Sequence, residues 1–387
     1  MTGRKLAVGT FPVPFNVVFK HTSAARAATE NIIVKVTDAD GIVGFGEGCP
    51  RSYVTGESEA SALRFVAEYG PEIVAHSEDL AALRHQIDKH SAVIDKNPAA
   101  FCALELAVLD LQSKQAGRTI EHFVRILPMA RSFSYSAVLS DSKAAVFGAQ
   151  VIRYRAHGLR DFKLKLSGDL DRDRAKFRWF RGRFGALIAA SVRVDANNLW
   201  SDPAEAISHL RALDYPFLGV EEPLQADDLA NFLTIAEALD TRIILDESLL
   251  RAGQLAELPG APSRWILNCR VSKSGGLLRS IDLIKRSVDQ GLGVIVGAHV
   301  GESSILTRAG LAAASAAGKR LIAQEGAFGT VLLAQDVCDD PIMFGRGGKL
   351  AIADHESLGR HGLGIAVIED RLAGMTSIPV NDENVGC

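Results

Sequence analysis

From Phe133 onward the chain repeats one small pattern eight times, and no other feature narrows its fold as much. Short apolar runs stand at 133–139 (FSYSAVL), 161–166 (DFKLKL), 191–196 (SVRVDA), 217–222 (FLGVEE), 242–247 (RIILDE), 265–270 (WILNCR), 293–298 (GVIVGA) and 320–325 (RLIAQE). Helix-like stretches such as 202–213 and 278–290 separate them. Strands alternating with helices predict an α/β fold with a parallel sheet, and a count of eight favours closure into a (β/α) barrel over an open doubly wound sheet. No G-x-G-x-x-G follows the first strands, so the open-sheet alternative lacks a dinucleotide fingerprint.

The first third reads differently. Residues 29–36 (TENIIVKV) and 41–46 (GIVGFG) are β-branched strands around a D-A-D-G turn, a hairpin signal. From Ala60 to about Gln112 the pattern turns helical, and 98–112 is an apolar helix. At 387 residues the chain exceeds one ordinary core. We therefore expect an α+β N-terminal capping domain over 1–130, a barrel over 131–350, and a C-terminal segment over 351–387 that packs back on the first domain.

Composition excludes some functions. A formal charge of -3 leaves no broad basic field, so neither nucleic acid nor membrane is an expected partner. The five cysteines show no C-x-x-C pairing, which suits reduced thiols in a cytosol. Neither a signal peptide nor a bilayer-length apolar run is evident, and a cytoplasmic enzyme is the expectation.

The chemistry is expected at the strand ends. One strand closes on Lys163-Leu164-Lys165, and later ones on Asp195, Glu221 and Asp246, each about one βα unit after the last. In a barrel such positions share the C-terminal rim, where active sites lie. A single carboxylate there could be an N-cap or an ion-pair partner. Three in register would repel one another in a low dielectric, and a divalent cation removes that cost. All-oxygen ligands select Mg²⁺, or Mn²⁺ in its place, over zinc. Lys163 and Lys165 are two apart on a strand and project to one face. Two ammonium groups beside a cation should depress each other's pKa, which makes a lysine a usable base. Lys273, in R-V-S-K-S-G-G after the sixth strand, would stand opposite them if the barrel closes.

The runs F-K-L-K-L, V-D-A-N, V-E-E-P, L-D-E-S and K-S-G-G resemble the enolase superfamily, in particular its muconate-lactonizing-enzyme subgroup. G-F-G-E-G (44–48) and Y-V-T-G-E (53–57) resemble that family's capping domain. The resemblance implies an enolase-type, TIM-like barrel in which Asp195, Glu221 and Asp246 ligate Mg²⁺. It also implies that Lys165 and Lys273 form an acid/base pair, with Lys163 tuning Lys165. His299 invites comparison with the His–Asp dyad of mandelate-racemase-like members, but Lys273 stands where that dyad needs its partner. His299 is then a pocket or packing residue, and Glu302 orients substrate or lysine. Glu247, Asn268 and Arg270 would support the metal ligands, Arg270 standing where many relatives carry lysine.

Substrate contacts are expected from Asn197 and from two loops, 15–26 and 50–57, which carry His21, Tyr53 and Thr55. Lys20, His21, Arg26 and Arg51 would make that lid basic, unless they are solvated loop charges. At the eighth strand end, Ala323-Gln324-Glu325 replaces the Asp-x-Asp with which dipeptide epimerases of the family hold a substrate ammonium. Gln324 and Glu325 remain candidate contacts, and Glu325 could still meet a cation.

The expected function is a Mg²⁺-dependent racemase or epimerase that takes the α-proton of a small-molecule carboxylate, such as an N-acyl amino acid or dipeptide. Alternatives on the same scaffold are muconate cycloisomerase, o-succinylbenzoate synthase or a hydroxy-acid dehydratase, and more remotely a non-catalytic binding protein. A homo-oligomer, dimer to octamer, is the expected assembly.

Overall fold

The computed structural model describes residues 3–21, 24–184 and 192–380, with backbone only for 17–21, 24–26 and 183–184. The chain opens with β1 (Lys5–Phe11), β2 (Pro14–His21), β3 (Ala24–Ala28), β4 (Asn31–Thr37) and β5 (Val43–Gly48). The expected hairpin forms as β4 and β5, antiparallel from Ile32↔Gly48 to Thr37↔Val43. Asp38 closes its turn by accepting the N–H groups of Asp40 (3.0 Å) and Ile42 (2.8 Å), and Gly41 supplies the positive φ of 80°.

The helix Pro98–Gln115 carries apolar residues on every side because it is covered on every side: residues 98–113 are all buried. It lies directly on β5. A Cβ on Gly44, Gly46 or Gly48 would stand 2.0–2.1 Å from the carbonyl oxygens of Ala107, Ala103 and Ala99 respectively. The G-F-G-E-G alternation thus presents bare backbone at every second strand position to a helix that presents alanine at every fourth.

After β6 (Ser132–Ser134) come the eight expected strands. They are β7 (Ala137–Leu139), β8 (Phe162–Lys165), β9 (Val192–Asp195), β10 (Gly219–Glu221), β11 (Ile243–Leu245), β12 (Trp265–Cys269), β13 (Gly293–Val296) and β14 (Leu321–Gln324). They pair in chain order, parallel throughout. The Ser136 N–H donates to the Gln324 carbonyl at 2.8 Å and carries the sheet round into a barrel. Between β11 and β12 a 3₁₀ turn, Ala252–Glu257, takes the place of an α-helix. Ile244, Ile266, Ile295 and Ala323 form a small apolar cluster of their own between the strands. The chain ends with β15 (Lys349–Ala351), paired with β6, and β16 (Ala373–Ile378), which adds antiparallel to β1. Among the described residues no helix is long and apolar enough to cross a membrane.

Buried glutamates join the N-terminal part to the barrel. Glu105, on the helix over β5, accepts the N–H groups of Leu277 (2.6 Å) and Leu278 (2.9 Å) and so caps the barrel helix Leu277–Gln290. The residue before that helix is Gly276 (φ 101°), where a Cβ would meet the Glu105 carboxylate at 2.4 Å. Glu47 of β5 does the same for the next helix, Ser304–Ala317, by accepting Ser303 N–H (2.9 Å), the Ser303 hydroxyl (2.6 Å) and Leu306 N–H (3.1 Å). A helix N-terminus offers free donors and partial positive charge, which a carboxylate from another element satisfies.

Burial, opposed by these bonds, still pushes both Glu47 and Glu105 up to about 7. A raised carboxyl pKa means the folded state holds its proton longer than the unfolded one, so this contribution is present below pH ~4.5 and lost as pH rises through 7. Replacing Glu105 with Gln should remove one such dependence. Between pH 5 and pH 8 the unfolding free energy of Glu105→Gln relative to the native chain should rise by about 3 kcal/mol. Denaturant unfolding at the two pH values checks this, and parallel pH dependences would refute it.

Candidate active site

Lys163 is the centre of the barrel mouth. Its Nζ donates to both oxygens of Glu221 (3.0 and 3.1 Å), lies 2.8 Å from Glu325 Oε2, and is 3.7 Å from Asp195 Oδ2. Lys165, on the same face of β8, reaches Asn197 Oδ1 at 2.8 Å and Asp195 Oδ2 at 3.4 Å. Asn197 does this from a left-handed backbone (φ 47°), and its own N–H donates to Asp195 Oδ1 (3.1 Å). Across the mouth, Asp246 binds Arg270 and Lys273 in very short contacts, and Lys273 also donates to the Asn268 carbonyl (3.3 Å). Asn268 Nδ2 donates to Glu221 Oε1 (3.3 Å), and Arg270 stands 4.0 Å from the same oxygen.

Four carboxylates (Asp195, Glu221, Asp246, Glu325) thus share the mouth with four cationic groups (Lys163, Lys165, Arg270, Lys273), most of them nearly fully buried. Burial pushes the Glu221 carboxyl up, with Lys163 opposing and Asp195, Glu325 and Asp246 adding to the rise. Against the same effect of burial, Arg270 and Lys273 hold Asp246 well below the usual carboxylate range. For Lys163 the surrounding carboxylates decide the direction. Burial would lower its pKa, but Glu221, Glu325 and Asp195 outweigh burial and hold the ammonium above the ordinary lysine value.

Sequence reading overlooked two residues that complete this lattice. Arg193 donates to Glu325 Oε1 (3.1 Å) and Asp161 Oδ1 (2.9 Å). It stands two before Asp195 on β9, so the rule that paired Lys163 with Lys165 would have placed it on the inner face. Glu222 accepts the N–H of Asp246 (2.7 Å), the N–H of Ser248 (2.9 Å) and the Ser248 hydroxyl (2.7 Å), fixing the backbone that carries Asp246. It turns away from Glu221 through a left-handed φ of 39°.

The remaining candidates divide. Glu247 feels Asp246, Lys273 and Arg270 and is raised mainly by its burial. His299 is buried, both its ring nitrogens lack a hydrogen-bond partner among the described residues, and its backbone N–H donates to Glu302 Oε1 (2.7 Å). Burial and the nearby Arg270, Arg51 and Lys273 keep its imidazole neutral, so the 3.7 Å approach of Nδ1 to Glu302 is not an ion pair. Thr55 lines a cavity with Lys273, Ser274, Arg251 and Arg279, whereas Tyr53 is exposed on the neighbouring turn. Gln324 turns to Tyr135 Oη (3.4 Å), because successive strand residues face opposite ways and Glu325 takes the inner side. Arg51 is no lid charge: it is buried and donates to Asn31 Oδ1 (2.9 Å) and the Val300 carbonyl (3.0 Å). The side chains of Lys20, His21 and Arg26 lie outside the described residues.

Residues 147–371 match the family described as Enolase C-terminal domain-like, and residues 7–124 match the Mandelate racemase / muconate lactonizing enzyme N-terminal domain. The chain belongs to the enolase superfamily. It is 27% identical over 371 residues to the L-Ala-D/L-Glu epimerase of Bacillus subtilis, covering 93% of this chain and 96% of that one. It is 26% identical over 286 residues to the N-succinyl-L-Arg/Lys racemase of Bacillus cereus, covering 72% and 75%. Its fold matches that of a dipeptide epimerase from Cytophaga hutchinsonii complexed with Mg and D-Ala-L-Val, with a TM-score of 0.82, 23% identity, and 98% and 100% of the two chains covered. Family and relatives together make this enolase-superfamily chain an isomerase.

Because Glu325 answers both Lys163 and Arg193, Glu325→Gln should leave two buried cations short of charge. A loss of about 3 kcal/mol in unfolding free energy is expected from chemical denaturation. A change below ~0.5 kcal/mol would mean the lattice does not depend on it.

Proposed function

We propose that this chain is a divalent-metal-dependent racemase or epimerase acting on N-acylated amino acids, with Lys165 and Lys273 as its two acid/base groups. The observation that carries this is their placement. Lys165 ends β8 and Lys273 follows β12, the second and sixth of eight strands, so they stand across the ring from each other with the carboxylates between. Taking a proton from one face of a carbon and returning one to the other needs that arrangement.

Asp195, Glu221 and Asp246 are the residues that would hold the metal. Among the described residues no three such side chains are gathered closely enough to hold one as they stand, since each carboxylate is drawn to a lysine or arginine. The donor set nevertheless fits a hard cation. It is all oxygen, it comes from neighbouring strands, and burial among other carboxylates leaves Glu221 raised, which a cation would relieve. When bound there, a divalent cation supplies positive charge to a substrate carboxylate whose α-proton is leaving. The chain's own residues do the rest. Asn197 and Asp195 hold the Lys165 amine at the rim, and the Asn268 carbonyl and Asp246 hold that of Lys273. Each lysine takes or returns a proton at the α-carbon, and the buried lattice excludes water from the other cationic groups.

Glu325 supports the N-acylated class. A free substrate ammonium would need an unengaged acid at the eighth strand end, and Glu325 is already shared between Lys163 and Arg193. The succinylated substrate in the name of the Bacillus cereus relative agrees with that reading.

The test is polarimetry with both enantiomers of N-succinyl amino acids and with L,L-dipeptides, in Mg²⁺. Racemisation of the acylated substrates is expected, with a loss of at least about 10³-fold in Lys165→Ala and in Lys273→Ala. Lactone or alkene products, or retained racemisation in both variants, would overturn the proposal.

A further inference from the structure

We propose that Asp173 and Lys176, on the helix Leu170–Phe184 behind β8, are positioning residues that aim Lys165 at the substrate. This rests on the reading of Lys165 and Lys273 as opposed bases. β8 is only four residues long and ends on Lys165 itself, so the sheet reaches no further than the Leu166 N–H. The helix takes over there. Lys176 Nζ donates to the carbonyl of Lys165 (3.0 Å), while the two Asp173 oxygens accept the N–H of Ser167 (3.0 and 3.1 Å). Asp173 Oδ1 also accepts the Ser167 hydroxyl (2.8 Å). Between these two grips, the Leu166 N–H donates to the Asp195 carbonyl on the neighbouring strand (2.9 Å). The backbone from Lys165 to Ser167 is therefore held from the helix side and the sheet side at once. The Lys165 side chain therefore starts from a fixed backbone on its way to Asn197 and Asp195.

The clamp is braced by further charge. Lys176 Nζ lies 2.9 Å from Asp173 Oδ1 and 2.6 Å from Asp141 Oδ1, and His209 Nε2 stands 3.1 Å from Asp173 Oδ2. Asp173 is fully buried and the Lys176 side chain is 4% exposed. Helix-on-sheet packing is ordinarily apolar, and replacing a buried ion pair by well-packed apolar groups is often neutral or stabilising. A buried ion pair that also grips the main chain on both sides of Leu166, beside a proposed base, points to geometry rather than stability. The i,i+3 spacing of Asp173 and Lys176 puts both on the same inward helix face.

A purely structural role and a positioning role differ in symmetry. Lys165 faces one enantiomer's α-proton and Lys273 faces the other's. Each lysine takes its proton, the electron pair stays on the substrate as its enediolate, and the same lysine returns a deuteron when the solvent is D₂O. A misaimed Lys165 slows this exchange for one enantiomer alone. The experiment follows α-deuterium incorporation by NMR into each enantiomer of an N-succinyl amino acid, with Mg²⁺-loaded enzyme. Lys165→Ala and Lys273→Ala first identify which enantiomer each lysine serves.

Lys176→Met and Asp173→Asn should then slow exchange of the Lys165 enantiomer about 10- to 100-fold, with the other enantiomer changed less than about threefold. Lys176→Arg should restore most of the loss. If Lys176→Met does not fold, the isosteric Asp173→Asn carries the test. Equal losses for both enantiomers, or unchanged exchange for both, would overturn the positioning role. A wild-type enzyme that exchanges neither enantiomer would overturn the two-base reading, and the positioning role with it.

Discussion

A single buried ammonium organises this molecule's active end. Lys163 sits among Glu221, Glu325 and Asp195 in a space with almost no solvent, where leaving any one charge unanswered would be costly. Around that group the other contacts spread along the rim: Glu325 passes to Arg193, Asp195 to Lys165, and Asp246 to Arg270 and Lys273. Such a set exists only if six of the eight strand ends arrive at one level. Barrel closure meets that condition, and the glutamate caps from the N-terminal part hold the helices beyond β12 and β13 against it.

This arrangement explains why so much of the site was legible beforehand. The strands announce themselves because apolar residues recur at regular intervals, and a rim position is simply the polar residue at the end of each run. Lys163, Lys165, Asp195, Glu221, Asp246, Arg270 and Lys273 all gather where that reasoning put them. What the sequence could not carry is contact across the ring. The contact of Lys163 with Glu325 is of this kind, since the two lie far apart along the chain. Arg51 looked like a loop charge for the same reason, since its acceptors lie on β4 and after β13. Gln324 needed only the strand alternation already applied to β8.

Family membership and geometry speak to different questions. The family sets the barrel and the class of isomerase, while the substrate depends on individual side chains that differ among its members. Here the informative one is Glu325, whose two oxygens are already committed within the protein. The same logic gives weight to Asp173 and Lys176: both are buried charges whose partners include main-chain atoms flanking a proposed base.

The proposed chemistry requires that the buried carboxylates now paired with lysine and arginine can ligate a metal. Titration of the metal-free protein with Mn²⁺, followed by electron paramagnetic resonance, measures this directly. The native chain should bind one ion, and Asp195→Asn, Glu221→Gln and Asp246→Asn should each weaken binding by about 10- to 100-fold or more while remaining folded. Undiminished binding in all three variants, or no binding by the native chain, would contradict it.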